Sequence, residues 1–182
     1  MLGNKMQNAL NEQINAELYS AYLYLSMSAY FTSLNLAGFA NWMRVQALEE
    51  ETHAARLYDF VNARNGRVLL KTVEGPPTEW ASPLAIFEEA YKHEQKVTGM
   101  INNLVNIAIE EKDHAANVFL QWFVNEQVEE EASTDAVAKK LKLIGKDGSG
   151  LYMLDQELAA RTFNWVNILT GQPTGGQAPA AP

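Results

Sequence analysis

The sequence predicts an all-α protein, in which a four-helix bundle with one long crossover is followed by a short fifth helix. Residues that favour helices dominate the chain, and apolar residues recur every three or four positions over long stretches. Glycine and proline are concentrated in clusters between these stretches. A chain of 182 residues with 47% hydrophobic composition can bury a substantial core. We therefore predict one domain over residues 1–170 and a flexible Gly-, Pro- and Ala-rich tail over residues 171–182.

Two long helices are predicted before the first cluster of glycine and proline. The first spans about residues 5–33, with apolar residues such as Leu10 and Ile14 at helical spacing. The second spans about residues 38–65, and Gly66 is predicted to close it as its C-cap. The segment GRVLLKTVEGPPTEWAS comes next and cannot be helical around its Gly-Pro-Pro sequence. It is therefore predicted to be a long, extended crossover.

Three further helices are predicted after the crossover. Ser82 and Pro83 are a typical N-cap and first-turn pair, so the third helix should begin there and continue to about residue 111. Asp113 is predicted to cap a fourth helix that ends near Gly145. Because the turn between them is very short, helices three and four should be antiparallel, whereas the 17-residue crossover can join two parallel helices. The segment KDGSG is predicted to be a loop, and LYMLDQELAARTFNWVNIL a shorter fifth helix.

The first helix must be considered as a membrane span, because no charged residue occurs between Glu17 and Arg44. Its segment LYSAYLYLSMSAYF contains four tyrosines and three serines, which argues against insertion into a membrane. We interpret it instead as a helix that is buried on more than one side. Leu18, Tyr22 and Leu25 lie away from the Glu17 side, and a monomer would expose them. The sequence therefore predicts a homo-oligomer with no membrane association.

Composition narrows the class of function further. The chain has no cysteine, which excludes disulfides, thiolate zinc sites and rubredoxin-type iron centres, and suits the reducing cytoplasm. The N-terminus has no apolar stretch that could act as a signal peptide. A net charge of -8 argues against nucleic acid as a partner, since phosphate binding relies on a basic surface. Metal cations are the more natural ligands of such a chain.

Glu17 is the clearest candidate functional residue, because it lies mid-helix on an apolar stripe. It follows Leu10 and Ile14 and precedes Ala21 and Tyr24 at helical spacing. A carboxylate buried on such a stripe is costly unless it is paired or bound to a metal. Taken alone, Glu17 could equally be a buried glutamate that is hydrogen-bonded to a tyrosine.

The second helix contains the motif Glu50-x-x-His53. This spacing places a carboxylate and an imidazole one turn apart on the same face, so both could hold one metal ion. The motif is weak evidence alone, since Glu111 and His114 have the same spacing across a helix junction. We interpret His114 as a surface residue in the first turn of the fourth helix.

The third and fourth helices supply the remaining candidates. Glu94 lies on an inward stripe, and the adjacent His93 points about 100° away from it. In the segment WFVNEQVEEEAS, the adjacent residues Glu126 and Gln127 lie about one turn before Glu130, on adjoining faces of the helix. Each acid, taken alone, is more simply interpreted as part of a solvated surface. Taken together, however, these residues match the pattern of di-iron carboxylate centres. In that pattern two helices each provide one inward Glu and another helix provides Glu-x-x-His. Such ligands suit Fe(II).

Together these segments resemble the ferritin superfamily, and specifically the non-haem ferritins of bacteria and archaea. The resemblance covers about residues 5–169, and its most specific elements are NEQINAELYSAYLYLSMSAY, EEETHA and NEQVEEE. It implies a shell of twenty-four subunits in which the fifth helix packs around the four-fold axes. It also implies iron storage and detoxification, in which O₂ or peroxide oxidises Fe(II) and the ferric product is deposited as a mineral inside the shell.

The resemblance assigns a role to each candidate residue. The first iron site corresponds to Glu17, Glu50 and His53, and Glu50 bridges to a second site made with Glu94 and Glu130. The other matching positions are Gln127 as the amide of the site, Tyr24 as a tyrosine that can hydrogen-bond a ligand or supply an electron, and Glu49, Glu126 and Glu129, which with Glu130 match a third iron site.

Differences from other members of the superfamily narrow this resemblance. Bacterioferritins have a second Glu-x-x-His where this chain has Glu130, and bind haem through a methionine where it has Glu51, so no haem is expected. Rubrerythrins need cysteine ligands, and Dps-like cages lack the fifth helix. Animal ferritins line their three-fold channels with acids where this chain has Asn117 and Leu120, so the route by which iron enters is not implied.

Two other functions fit parts of the sequence. A fixed di-iron oxidase or oxygenase that acts on an organic substrate would need a lined pocket and a reductase. The single histidine in the site and the fifth helix both argue against it. A purely structural bundle whose acids are only a solvated surface does not explain Glu17 in an uncharged apolar helix. Ferroxidase activity is therefore the predicted function.

Overall fold

The computed structural model describes residues 2–163 and contains five helices in the predicted order. No strand occurs among these residues, and the prediction of an all-α bundle with a short fifth helix is confirmed. The predicted tail over residues 171–182 lies outside the described part of the chain. The helices are α1 (Asn4–Ser33), α2 (Ala37–Ala63), α3 (Pro83–Glu110), α4 (His114–Ile144) and α5 (Gly148–Leu158).

The bundle consists of two helical hairpins. One is formed by α1 and α2 and the other by α3 and α4, and α1 also packs against α3. Residues 64–82 cross from one hairpin to the other, so that α2 and α3 run parallel as predicted. This crossover lies along α1, where Asn15, Ser26 and Tyr30 donate hydrogen bonds to its backbone carbonyls at 3.2, 2.6 and 2.6 Å.

Local capping determines where α3 and α4 begin. Ser82 Oγ accepts a hydrogen bond from Ala85 N at 3.1 Å, with Pro83 as the first helical residue. Asp113 Oδ1 accepts from Ala116 N at 3.0 Å in the same way. Both predicted caps are therefore confirmed.

The end of α2 differs from the prediction that Gly66 is its C-cap. The helix ends at Ala63, and Asn65 rather than Gly66 has the left-handed conformation, with φ of 55°. Asn65 N donates to Asn62 O at 3.0 Å and Gly66 N donates to Val61 O at 2.9 Å, which is the Schellman pattern. Asparagine can take this position because its short polar side chain tolerates a positive φ.

The prediction that KDGSG forms a loop is wrong for its last three residues. The Asp147 carboxylate accepts hydrogen bonds from two backbone amides at 3.1 Å, and this cap starts α5 at Gly148. The helix ends at Leu158. Residues 159–163 were predicted to continue the helix, but they are not helical. The predicted helical residues 164–169 lie outside the described residues.

The fifth helix is fixed against the N-terminal end of α2. Asp155 Oδ1 accepts hydrogen bonds from Gly38 N at 2.8 Å and Phe39 N at 3.1 Å, which places a carboxylate at the positive end of the helix dipole. A Cβ atom at Gly38 would lie 1.6 Å from the backbone oxygen of Asp155, so only glycine permits this approach. Asn41 Nδ2 donates hydrogen bonds to three backbone carbonyls within residues 158–161. These carbonyls at and beyond the end of α5 thereby gain a hydrogen-bond donor that the helix does not supply.

The interior contains two apolar cores, one towards each end of the bundle. On α1, Leu10 and Ile14 belong to one core, whereas Met27 and Phe31 belong to the other. Glu17 lies between them. All four long helices pass from one core to the other in this way, and most of the buried polar residues lie where they do so. A polar layer therefore crosses the middle of the bundle.

Several large apolar side chains are exposed in the single chain. Tyr22, predicted to lie away from the Glu17 side, is 50% exposed, whereas Leu18 and Leu25 are half-buried. Among the described residues, no helix is both long enough and apolar enough to cross a membrane. Apolar surface of this kind is typical of a chain that packs against other subunits. Further exposed side chains are those of Tyr58, Leu69, Leu70, Ile109 and Val118.

Candidate metal centre

The polar layer is built from acidic, amide and imidazole side chains that all four long helices contribute. On each helix these residues share a face with the apolar residues before and after them, so packing of the apolar residues carries the polar ones inward. The layer contains Glu17, Glu50, His53, Glu94, Glu126, Gln127 and Glu130, each of which is at most 4% exposed.

Three overlapping groups in this layer bring potential metal ligands together, and two of them share Glu50. Glu17, Glu50 and His53 each offer one ligand atom within 4.8 Å of the others. Glu50, Glu94 and Glu130 form a second group by the same criterion. Glu50 belongs to both groups, which is the arrangement that a bridging carboxylate requires. Two cations could therefore bind side by side.

The first group contains two buried ligand atoms, Glu17 Oε2 and His53 Nε2, that have no hydrogen-bond partner among the described residues. Buried polar atoms are normally paired, because an unpaired atom loses its contact with water and gains nothing in return. The other ligand atoms of these side chains do have neighbours. Gln13 Nε2 donates to Glu17 Oε1 at 2.9 Å, and His53 Nδ1 lies 3.3 Å from Glu50 Oε2. A bound cation would supply the missing partners, so the residues fit a metal ion.

Burial raises the pKa of Glu17, Glu50 and Glu94 above the ordinary value for glutamate. The charges of neighbouring carboxylates raise the pKa of Glu50 and Glu94 further, whereas His53 partly offsets the effect of burial on the pKa of Glu17. A carboxyl group whose pKa is raised keeps its proton to a higher pH, and it must give up that proton to bind a metal ion. Metal binding to this layer should therefore release protons.

Neighbouring side chains hold Glu94 by both of its oxygens. The Tyr24 hydroxyl donates to Oε1, and Gln127 Nε2 donates to Oε2 at 3.2 Å. Burial and the charge of Glu94 raise the pKa of Tyr24 well above its ordinary value, so the phenol stays protonated and remains a donor. Tyr24 and Gln127 thus orient a carboxylate of the second group.

Two amides that the sequence interpretation missed orient other carboxylates. Gln13 donates to Glu17 as described, and Gln46 Nε2 donates to Glu50 Oε1 at 3.0 Å and to Glu130 Oε2 at 2.6 Å. Each glutamine lies four residues before its glutamate, and therefore one turn away on the same helix face. The repeated Gln-x-x-x-Glu spacing is the signal that could have identified both.

The residues predicted for a third site are only partly brought together. Glu126 and Glu130 form a group with His53, and not with Glu49 or Glu129. Glu129 is half-buried, and both burial and the charge of Glu130 raise its pKa. Its Oε2 atom has no hydrogen-bond partner among the described residues.

Glu49 is paired with Arg161, a residue that the sequence interpretation also missed. Arg161 Nη2 is hydrogen-bonded to Glu49 Oε2 and lies 2.8 Å from Gln46 Oε1. Burial raises the pKa of Glu49 to about 7, although the charge of Arg161 lowers it. Glu49 and Arg161 are 112 positions apart in the sequence, so no local sequence pattern could have identified the pair.

The other two histidines lie outside the layer. His93 is half-buried on α3, where its Nε2 is 2.7 Å from Ser20 Oγ and its ring contacts Tyr19. His114 is exposed in the first turn of α4. The interpretation of His114 as a surface residue and the expectation that His93 does not face inward with Glu94 are both confirmed.

The chain is similar to proteins of known family over most of its length. A family model described as a ferritin-like domain matches residues 7–144. Bacterial non-haem ferritins of Bacteroides fragilis and Escherichia coli are each 43% identical to the chain, over 161 and 159 residues. These alignments cover 88% and 87% of this chain and 100% and 96% of the two relatives.

Solved structures of an archaeal ferritin are also similar to the chain. The open-pore ferritin of the hyperthermophilic archaeon Archaeoglobus fulgidus is 57% identical, with a TM-score of 0.88 over 89% of this chain and 99% of that one. A closed form of that ferritin, engineered by site-directed mutagenesis, is 57% identical, with a TM-score of 0.89 over 90% of this chain and 100% of that one. The fold, the acidic layer and these similarities agree. The chain belongs to the ferritin family, within its non-haem prokaryotic branch.

Proposed function

We propose that the chain is a ferroxidase subunit of an iron-storage shell. It binds Fe²⁺ in pairs and transfers their electrons to O₂ or peroxide, and the ferric product is deposited as a mineral inside the shell. Iron storage is the function that the family and the relatives support. The observation that carries the proposal is the position of Glu50, which is shared by two buried ligand groups in the middle of the bundle.

The charges of the layer match a pair of ferrous ions. Four carboxylates, of which only Glu50 belongs to both the first and the second group, balance two divalent cations without leaving net buried charge. In this assignment His53 completes the first site and Glu50 bridges the two. Oxygen-rich sites with one imidazole suit Fe(II), and they favour passage of iron through the site over its permanent retention. The four carboxylates are those of Glu17, Glu50, Glu94 and Glu130.

The amide and phenol donors around the ligands give the site its preorganisation. Because Gln13, Gln46 and Gln127 each donate to a carboxylate oxygen, incoming iron meets ligands that are already oriented. We assign Tyr24 a second role as a side chain that can supply an electron to oxygen. Its hydrogen bond to Glu94, a ligand of the proposed second site, supports this role.

A third iron is assigned to the acids beside the pair, namely Glu49, Glu126, Glu129 and Glu130. In this position it can deliver an additional electron to oxygen. More iron is then oxidised per O₂ than the two ions that a peroxide-forming reaction consumes, 2 Fe²⁺ + O₂ + 2 H⁺ giving 2 Fe³⁺ + H₂O₂. This assignment leads to a test that separates the third site from the pair.

Changing both Glu49 and Glu129 to alanine should preserve rapid oxidation of two irons per chain. Because the extra electron donor is lost, the variant should consume about one O₂ per two Fe²⁺ and release more peroxide. Stopped-flow absorbance combined with an oxygen electrode measures both quantities. Replacing the exposed acids Glu110 and Glu111 with alanine is the matched control and should retain the wild-type ratio. An unchanged ratio in the Glu49 and Glu129 variant would contradict the third site.

Assembly into a shell of twenty-four copies is part of the proposal. The exposed apolar side chains of α1, α2 and the crossover support contacts between copies, and α5, which the bundle itself does not require, supplies a further contact surface. Because the chain has a net charge of -8, nucleic acid is not proposed as a partner. The absence of cysteine suits the reducing cytoplasm, which is the proposed location.

Anaerobic titration with Fe²⁺, followed by aeration, tests the function and the assembly together. Absorbance and sedimentation are recorded on the same sample. We expect two or three irons per chain to bind before oxygen is added, rapid ferric absorbance afterwards, and a large hollow particle. A particle of 20.3 kDa, the mass of one chain, would contradict the shell. Ferric formation no faster than in protein-free buffer would contradict the ferroxidase.

A further inference from the structure

Arg161 joins the segment that follows α5 to the polar layer. Its guanidinium lies over the Trp42 ring, with Cζ 4.3 Å from the centroid, and Nη1 donates to Trp42 O at 3.3 Å. Nη2 donates to Gln46 Oε1 at 2.8 Å and pairs with Glu49 Oε2. The Arg161 side chain is only 16% exposed, so this ion pair is shielded from bulk water.

The contact with Gln46 connects Arg161 to the paired centre. A guanidinium can only donate hydrogen bonds, so Gln46 must turn its oxygen towards Arg161 and its NH₂ group towards the carboxylates. That NH₂ group donates to Glu50 and Glu130, as described above. One amide therefore links a positive charge outside the paired centre to two of the carboxylates within it.

A cation at the third site and the Arg161 guanidinium would compete for one carboxylate. In the proposed assignment Glu49 is a ligand of that site, and one of its oxygens already accepts from Arg161. Two positive charges on a buried carboxylate repel each other strongly, because water screens them little. A third ion must therefore bind weakly or displace the guanidinium.

We propose that Arg161 is a built-in counter-ion that makes the third site fill last, and that its displacement releases the segment after α5 from the bundle. The inference rests on the proposed third iron site. Before the third ion binds, Arg161 neutralises Glu49 and keeps Gln46 directed at Glu50 and Glu130. When the ion binds, the guanidinium leaves Glu49, and residues 159–163 lose one of the contacts that hold them to α2. Other contacts are the hydrogen bonds from Asn41 and those of Arg161 with Trp42 and Gln46.

Calorimetric titration of the metal-free, full-length protein with Zn²⁺ alone tests the order of filling without any oxidation. In the wild type we expect two tightly bound ions per chain and a weaker third. Arg161→Gln should tighten the third by about tenfold or more, because the competing charge is gone. Arg161→Lys retains the charge and should stay close to the wild type. Arg64→Gln, which removes the ion pair with Asp113 at the α3–α4 junction, is the matched control and should change none of the three affinities.

The titration distinguishes this inference from the function on which it rests. An unchanged third affinity in Arg161→Gln would overturn the counter-ion, as would equal effects of the Gln and Lys variants. If the wild type lacks the two tight ions, the paired centre and the counter-ion both fail. Two tight ions with a third that does not depend on Arg161 would overturn the counter-ion alone.

Hydrogen exchange tests the release of the segment separately from affinity. Backbone amides of residues 159–163 should exchange faster in wild-type protein with three equivalents of Zn²⁺ than with two. Amides in the first turn of α4, at the opposite end of the bundle, should exchange equally in both samples. Unchanged or slower exchange of residues 159–163 after the third equivalent would overturn the release.

Discussion

Replacing Glu50 with alanine is expected to slow the rapid oxidation of Fe²⁺ by at least about a hundredfold, because one carboxylate serves both proposed iron sites. Assembly should survive, since the Glu50 side chain contacts other polar side chains of the layer and contributes little to either apolar core. Stopped-flow absorbance after mixing with aerobic Fe²⁺ measures the rate, and sedimentation measures the particle.

The adjacent residue supplies the control for this variant. Glu51 has the same side chain and the same helix, but it is exposed and belongs to no ligand group among the described residues. Glu51→Ala should therefore oxidise iron at the wild-type rate. Rapid oxidation in Glu50→Ala, or an equal loss in both variants, would contradict the assignment of Glu50 as the shared ligand.

Without metal, the protein should be less stable near pH 8 than near pH 5.5, by on the order of a few kcal/mol. The pKa values of Glu17, Glu50, Glu94 and Glu49 are raised on folding, that of Glu49 to about 7. The folded state therefore holds more protons than the unfolded state once the pH exceeds the ordinary glutamate value. Stability is fully present below that value and is lost as the pH rises through the raised pKa values.

Urea denaturation of the metal-free protein at fixed protein concentration measures this slope. A divalent cation should reverse it, because metal binding displaces protons and strengthens as the pH rises. Glu50→Gln keeps the shape of the side chain but cannot ionise, so it should reduce the loss of stability between the two pH values. Equal or greater stability of the metal-free wild type at the higher pH would contradict the raised pKa values.

Features with local causes were predictable from the sequence. The caps at Ser82 and Asp113 act within three residues, and short-range hydrogen bonding alone determines where α3 and α4 begin. Glu17 could be recognised because a carboxylate interrupts an otherwise apolar helix stripe, so that its burial follows from that of Ile14 and Ala21.

Features that depend on tertiary contacts were not predictable in the same way. Glu126 and Glu130 look like surface acids within an acidic run, and only packing of α4 against the other helices shows that both are buried. Arg161 meets Gln46 and Glu49 only because α5 docks on the start of α2. The assignment of iron to particular ligands stays a prediction, supported by the proximity of the ligand atoms.

The polar layer divides the interior into two parts that can change separately. Among the buried core residues of α1, Ile14 of one core and Leu23 of the other are separated by a rise of about 13.5 Å, too far for their side chains to touch. Substitutions so far apart tend to have additive effects on stability. The end that contains Phe31 and Phe39 could thus be repacked by protein engineers, or drift during evolution, while the Leu10 and Ile14 end keeps its own packing. The polar layer in the middle is then a fixed boundary between two regions of tolerant sequence.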